Sequence, residues 1–179
     1  MNHLAEGTMH QAFKYVFTIL LSLVTLTGCD DVLTVYVVRH AEKMNPWSNA
    51  NPPLSPAGYQ RAEALAERLV STNLDKIIVS NYRRTQETAQ PTAEEHGLVP
   101  IVLPANAIDG IIAEALIDAT TRSVLIVGHS NTVPLIIKAL EPNADVQEID
   151  ESVFSQFHIV VRNKLNQVTI HGQDAYGLP

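Results

Sequence analysis

The chain has 179 residues and carries 19 acidic against 12 basic side chains, for a formal charge of −7. This length fits one domain with a sizeable core. The acidic balance argues against a general nucleic-acid-binding surface, because such a surface must neutralise phosphates with Lys and Arg. No nucleic-acid partner is therefore expected.

An apolar segment near the N-terminus, residues 15–26, has no charged side chain and follows Lys14. It is shorter than the roughly 20 residues of a membrane-spanning helix, and it has the position and length of a signal-peptide core. The segment runs into "LTGC", which resembles the lipobox of bacterial lipoproteins, and Cys29 is the only cysteine. We therefore expect a lipoprotein signal peptide over residues 1–28, a lipid on Cys29 and a mature domain over residues 29–179.

The expected location is the bacterial cell envelope, with the anchored domain on the periplasmic face. Asp30 and Asp31 follow the cysteine, and an Asp there resembles the inner-membrane retention signal of enterobacterial lipoproteins. Inner and outer membrane both stay open, because that rule does not apply to all bacteria. The start codon also has two candidates, Met1 and Met9, of which the second gives a more compact signal.

Predicted strands and helices alternate along the rest of the chain. Short β-branched runs predict strands over residues 33–38, 76–80, 99–103 and 123–128, with two more over 153–161 and 167–172. Apolar spacings of three and four, with cap signals such as Ser55–Pro56 and Gly97, predict helices over 56–70, 85–96, 108–119 and 131–140. This alternation predicts a three-layer α/β fold, with a mostly parallel central sheet and helices on both faces. The last two strands are expected to form a hairpin and to add antiparallel edge strands.

Polar and charged side chains follow three of the predicted strands. Arg39 and His40 come after the first, Arg83 and Arg84 come after the second, and residues 128–131, "GHSN", come at the end of the fourth. Ligands of open α/β sheets bind outside the carboxyl ends of the strands. We therefore expect these side chains to meet at one edge of the sheet.

The chemistry of this edge favours a phosphoryl group. Two adjacent arginines at a helix N-terminus oppose the helix dipole unless an anion compensates them. The planar guanidinium group also binds two phosphate oxygens at once. A metal site is disfavoured, because a third ligand is missing from the spacing and the arginines would repel a cation; no metal and no cofactor are expected. A nucleophilic Ser130 ranks below the histidine, because the G-x-S-x-G elbow is absent.

Four stretches occur in the order typical of a known family: "VVRHAEK", "LSPAGYQRAEALAERL", "SNYRRTQETAQ" and "VLIVGHSNTVP". They resemble the histidine phosphatase superfamily, also called the phosphoglycerate mutase-like group. The resemblance covers residues 33–140 and implies a phosphoglycerate mutase-like fold. By this resemblance His40 matches the nucleophile that becomes phosphohistidine. Arg39 and Arg84 match the phosphoryl-binding arginines, and His129 matches the second pocket histidine.

The chain departs from the family pattern at two places. The usual R-H-G reads R-H-A here, with Ala41 in the third position. The family's proton donor, usually a Glu or Asp after the third strand, has two candidates: Asp109 and Glu114. We prefer Asp109, because it lies nearer the predicted strand end. Lys43 and Asn131 are expected to bind the substrate, with an ion pair at the rim as the other interpretation of Lys43.

The resemblance implies a phosphoric monoester hydrolase that acts on phosphomonoesters, or on phosphohistidine, through a phosphohistidine on His40. The short chain and its "RHAEK" form resemble small bacterial members, including phosphohistidine phosphatases, more than the mutases. The expected partner is a phosphorylated small molecule or a phosphoprotein, besides the membrane reached through the lipid. The alternative function is a membrane-anchored protein that binds a phosphorylated ligand without turnover, which a missing acid would favour.

Overall fold

The computed structural model describes residues 32–44, 50–163 and 169–177, which lie in one compact unit. The predicted signal peptide and Cys29 fall outside the described residues, so the lipid anchor stays a prediction. Within the described ranges, no helix has the length and apolar character needed to cross a membrane.

The described residues form a six-stranded sheet with four helices. The elements are β1 (Val32–Arg39), α1 (Pro56–Leu69), β2 (Lys76–Ser80), α2 (Arg83–His96), β3 (Ile101–Leu103), α3 (Ile108–Leu116), β4 (Ser123–Gly128), α4 (Thr132–Leu140), β5 (Gln156–Asn163) and β6 (Thr169–Ala175). The strand order is β3-β2-β4-β1-β5-β6. The first four strands in this order run parallel, while β5 is antiparallel to β1 and β6 to β5. The predicted α/β sheet with a final antiparallel pair is confirmed; the predicted connecting loop falls partly outside the described residues.

Helices cover both faces of this sheet because its central strands are apolar on both sides. In β1, Leu33, Val35 and Val37 pack into the cluster that contains residues of α3 and α4. The alternate residues Tyr36 and Val38 pack into the cluster that contains residues of α1 and α2. Side chains that alternate between faces in this way make β1 a central strand that is covered on both faces.

Two helices differ from their predicted bounds by more than one residue. Helix α2 begins at Arg83 and not at Thr85, so both adjacent arginines lie within its first turn. Helix α3 ends at Leu116, three residues early. There the Asp118 carboxylate accepts hydrogen bonds from the backbone N–H and hydroxyl of Thr120, a local turn that competes with helical hydrogen bonding.

The first turn of α1 is fixed against the segment that follows β1. Ser55 caps the helix by accepting from the Gly58 N–H, with Pro56 in the first turn, as predicted. A Cβ on Gly58 would lie 2.1 Å from the Glu42 carbonyl oxygen, so only glycine permits this approach. The Glu42 carboxylate in turn accepts three hydrogen bonds from the buried Arg61 of α1. Glu42 therefore holds the helix in place.

Candidate active site

Three strand ends meet at the carboxyl edge of the sheet, as expected. Strand β4 lies between β1 and β2, and its register sets Arg39 opposite Gly128. The backbone N–H of His40 donates to the Gly128 carbonyl oxygen at 2.9 Å, which brings His40 beside His129. The two imidazole rings lie 5.3 Å apart between centroids, edge to face. Ser80, the last residue of β2, lies 2.9 Å from His129 between Oγ and Nε2.

The tautomer of His40 follows from one short contact. Its Nδ1 lies 2.7 Å from the Ala41 carbonyl oxygen, which can only accept, so Nδ1 carries the proton and Nε2 has the free lone pair. Burial, and then the charge of Arg84 with those of His129 and Arg39, lower the pKa of His40 to about 3, although the Ala41 hydrogen bond raises it. His40 is therefore a neutral imidazole at neutral pH, with Nε2 available as a nucleophile.

His129 is neutral as well, and both of its nitrogens are engaged. Nδ1 lies 3.2 Å from Nη2 of Arg84, and because a guanidinium only donates, Nδ1 accepts. Nε2–H then donates to the Ser80 hydroxyl. Burial, and then the charges of Arg84, Arg39 and Lys43, lower the pKa of His129 to about 4. In this arrangement His129 orients Arg84.

Two hydroxyl groups, of Ser80 and Thr85, form a hydrogen-bonded chain that ends at His129. The Thr85 hydroxyl donates to the carbonyl oxygens of Tyr82 at 2.8 Å and of Ser80 at 3.0 Å. Ser80 Oγ therefore donates to Thr85 Oγ1 at 2.8 Å and is left to accept from His129. Sequence reasoning missed Thr85, although a Thr five residues after the Ser that ends a strand is a usable signal for such a relay.

Of the two adjacent arginines, only Arg84 lines the cavity that His40 and His129 also line. Its guanidinium carbon lies 4.2 Å from the centroid of the Tyr82 ring, a cation–π contact. Its Nε is buried without a hydrogen-bond partner, and burial lowers its pKa. Arg83 is exposed and pairs with Glu87 on the surface of the same helix. Arg84 is also the one of the two that the resemblance matches to a phosphoryl-binding arginine.

Thr88 joins the helix that carries Arg84 to the segment that carries His40. Its hydroxyl donates to the Arg84 carbonyl oxygen at 2.7 Å and accepts from the backbone N–H of Ala41 at 2.9 Å. Ala41, the residue that departs from the family pattern, is fully buried. The threonine therefore fixes the first turn of α2 relative to the peptide after His40.

Arg39 is only 1% exposed and is held by the segment before β5. Its Nη1 donates to the carbonyl oxygens of Asp150 at 2.8 Å and Val153 at 3.0 Å. Its Nη2 donates to the Glu151 carboxylate at 2.8 Å, and the Phe154 ring lies 4.3 Å from the guanidinium carbon. Nε of Arg39 is buried and has no hydrogen-bond partner. Sequence reasoning missed this segment, whose only local signal is an acidic pair shortly before a strand.

The convergent side chains surround a cavity of about 290 Å³. Its charged and polar lining includes His40, His129, Arg84 and Glu151, together with the predicted substrate-binding residues Lys43 and Asn131. The described residues contain no group of three or more His, Cys, Asp or Glu side chains placed to hold a metal ion. The cavity thus joins two neutral imidazoles, two cations and one carboxylate.

The two predicted proton donors lie elsewhere in the structure. Asp109 is exposed in the first turn of α3 and is not among the residues that line the cavity. Glu114 accepts at 2.8 Å from Nζ of Lys76. Lys76 is the first residue of β2, so this pair lies at the amino edge of the strands, opposite the cavity. The structure brings neither carboxylate to His40.

The comparisons with known proteins match one family model over part of the chain and one fold over most of it. Residues 35–107 match the model of the histidine phosphatase superfamily, branch 1. The chain is 34% identical over 80 residues to the Yersinia pestis protein named "Probable phosphoglycerate mutase GpmB", a match that covers 41% of this chain and 36% of that protein. A Yersinia pseudotuberculosis protein of the same name matches to the same extent. The chain thus spans about a third of the length of the curated relatives it matches.

Solved structures extend the likeness to the whole domain. The protein histidine phosphatase SixA complexed with tungstate gives a TM-score of 0.67 at 19% identity, over 80% of this chain and 97% of that one. A mycobacterial glucosyl-3-phosphoglycerate phosphatase gives a TM-score of 0.62 at 16% identity, over 81% and 98%. At these identities the likeness concerns the fold, and it confirms the predicted phosphoglycerate mutase-like architecture.

Proposed function

We propose that this chain is a phosphatase of the histidine phosphatase superfamily that removes phosphoryl groups through a phosphohistidine on His40. The family match and the shared fold support the superfamily and a phosphatase or mutase type of activity. The observation that carries the proposal is a neutral buried His40 beside two arginines, Arg39 and Arg84, whose Nε groups are buried without partners. A buried donor without a partner costs about 1–3 kcal/mol, and a phosphoryl oxygen is the acceptor that suits it.

In the first step, Nε2 of His40 attacks phosphorus in line with the leaving oxygen. The N–P bond forms as the P–O bond breaks, and the electron pair of the broken bond stays on the leaving oxygen, which takes up a proton. The low pKa of His40 keeps the Nε2 lone pair free at neutral pH. In the second step, water attacks the phosphohistidine and returns the lone pair to Nε2.

Positive charge surrounds the transferred group during both steps. Arg84 and Arg39 can hold equatorial phosphoryl oxygens, since charge on these oxygens redistributes in the transition state. Helices α2 and α4 begin at Arg83 and Thr132, at the carboxyl edge of the sheet. The positive ends of their dipoles therefore face the same edge.

The direct test compares His40→Ala with the wild-type chain on p-nitrophenyl phosphate. We expect turnover to vanish, and we expect only the wild type to trap acid-labile, base-stable phosphate on the protein. His96→Ala is the matched control, because His96 lies at the other end of the 14-residue helix α2, roughly 20 Å from Arg84. Undiminished turnover by His40→Ala would rule out the assignment.

The second candidate function is binding of a phosphorylated ligand without turnover. It is favoured by one observation: neither predicted proton donor, Asp109 or Glu114, lies at the cavity. A pure binding protein would bind inorganic phosphate but form no phosphohistidine. The same trapping experiment therefore separates the two functions.

The lipid anchor belongs to this proposal as a separate part. If Cys29 carries lipid and the domain faces the periplasm, phosphomonoesters or phosphoproteins of the envelope are the substrates within reach. Labelling of cells with radioactive palmitate is expected to mark the wild-type chain and to leave Cys29→Ser unmarked. Equal labelling of both chains would exclude the anchor and leave the catalytic proposal unaffected.

A further inference from the structure

Glu151 is the one carboxylate among the residues that line the cavity, within the part of the chain that the structure describes. Both of its oxygens accept hydrogen bonds. Oε1 accepts from the Ser130 hydroxyl at 2.6 Å, and Oε2 accepts from Nη2 of Arg39 at 2.8 Å. The carboxylate is therefore bound to the two strand ends that carry the histidines.

The two partners of this ion pair differ strongly in exposure. The Arg39 side chain is 1% exposed, whereas the Glu151 side chain is 71% exposed. A carboxylate with this much contact to water exchanges protons with solvent readily, and it can turn away from Arg39 without moving the core. Glu151 is thus the mobile partner of a fixed guanidinium.

The charges around Glu151 make it an anion. The Ser130 hydroxyl, Arg39 and Lys43 face Glu151 and lower its pKa, whereas burial raises it. Arg84 and His129 also face Glu151. The Ser130 hydrogen bond has the largest effect. At neutral pH the free protein therefore holds a Glu151 carboxylate that neutralises part of the cationic cavity.

On the proposed function, a phosphoryl group changes this balance if its oxygens accept from Arg39, whose Nε is buried without a partner. Glu151 then loses its cationic partner and gains a neighbouring anion. Both changes favour the protonated carboxyl group. A substrate bound in this way would therefore favour uptake of a proton from solvent by Glu151, which lines the same cavity as His40.

We propose that Glu151 is the catalytic acid that protonates the leaving oxygen of a phosphomonoester, an inference that rests on the proposed phosphatase function. As the P–O bond breaks, the leaving oxygen keeps the electron pair and takes the Glu151 proton, and an alcohol departs. The regenerated carboxylate then takes a proton from the attacking water as its oxygen bonds to phosphorus and the N–P bond breaks. The substrate class this assigns is phosphomonoesters of alcohols, whose alkoxides leave poorly without a proton.

The experiment compares two substrates on one variant, Glu151→Gln, which keeps the size of the side chain. p-Nitrophenyl phosphate releases a stable phenolate and needs no acid, whereas glycerol 2-phosphate releases an alkoxide. The readout is kcat/KM, which reports only the steps up to release of the leaving group and not the hydrolysis of the phosphohistidine that both substrates share. Because general acid catalysis contributes about 10²–10⁴-fold, we expect kcat/KM for glycerol 2-phosphate to fall by about that factor. We expect kcat/KM for p-nitrophenyl phosphate to change by less than about threefold.

Controls separate this inference from a structural effect and from the proposed function. Glu148→Gln changes an exposed carboxylate in the same segment and should leave both rates unchanged, while Glu151→Asp should recover part of the alkyl phosphate rate. An equal fall on both substrates, or no fall on either, would overturn the acid role. His40→Ala should lose both activities, and its failure to do so would count against the phosphatase function and not against Glu151 alone.

Discussion

Nη2 of Arg84 donates to Nδ1 of His129 over 3.2 Å, and this one contact decides what the second histidine can do. Because Nε2–H of His129 is already donated to Ser80, the neutral ring has no N–H left for a phosphoryl oxygen. In the protein without ligand, His129 therefore orients the guanidinium group of Arg84. The arginine, in turn, keeps a buried Nε without a partner.

Replacing Arg84 by Lys should therefore weaken phosphoryl transfer even though the charge is kept. Lysine has no planar pair of donors, so it cannot bind two phosphoryl oxygens while it remains bonded to His129. We expect kcat for p-nitrophenyl phosphate to fall by about 10²–10³-fold. Arg83→Lys, one position earlier and on the surface, should retain wild-type kcat. Equal rates for Arg84→Lys and wild type would show that the arginine does not contact the reacting group.

Thr88→Val should destabilise the fold, because it removes a hydroxyl that bonds to two backbone groups. The N–H of Ala41 would lose its acceptor inside the core, at a cost of about 1–3 kcal/mol in the free energy of unfolding. Thr92→Val is the matched control, one helical turn later. Thr92 is also fully buried, but its hydroxyl has no partner. Urea unfolding should show a lower free energy of unfolding for Thr88→Val and an unchanged one for Thr92→Val.

Gly58→Ala should disturb the segment after His40, because the new Cβ would lie 2.1 Å from the Glu42 carbonyl oxygen. We expect a lower melting temperature and reduced kcat. Gly110→Ala in α3 is the contrasting change, since the new Cβ would lie 3.7 Å from the nearest side-chain atom, Cβ of Ala107. Alanine there should stabilise the helix by roughly 0.5–1 kcal/mol. Calorimetry of both variants tests the steric argument.

Buried histidines should make stability fall as the pH drops below 6.5. Burial, and then the nearby His171, lower the pKa of His158 to about 4, while the unfolded chain has a value near 6.5. Between these values the unfolded state binds the proton and the folded state does not, so stability is full above pH 6.5 and is lost on acidification. In His158→Gln, the slope of the unfolding free energy between pH 6 and 5 should be smaller by about 1 kcal/mol per pH unit. Urea titrations at several pH values measure this slope, and parallel slopes would contradict the argument.

Most of the sheet edge could be predicted because its signals are local. The β-branched run before Arg39, the continuous apolar strand before His129 and the cap at Ser55 each lie within a few residues of what they specify. Strand ends of parallel strands share one edge by geometry. The start of α2 at Arg83 was missed because its first turn is stabilised by tertiary contacts, including a bond from Arg83 N–H to Asn51.

Local sequence signals could not decide between the two candidate proton donors. Asp109 and Glu114 lie on one short helix, and which edge of the sheet each approaches depends on how that helix packs. Packing turns Glu114 toward Lys76 at the amino edge and leaves Asp109 outside the cavity lining.

The sequence by itself determined the α/β alternation and the meeting of Arg39, His40, the Arg83–Arg84 pair and His129 at one edge, since hydrophobic period and chain order are enough for that. The resemblance to the family selected Arg84 from the pair. Only the tertiary structure decided which carboxylate shares the cavity. Arg39 and Glu151 are 112 residues apart in the chain, and they meet because β5 returns antiparallel to β1 and delivers the preceding segment to the same edge. A contact of that separation has no local signal; it depends on the strand order of the sheet.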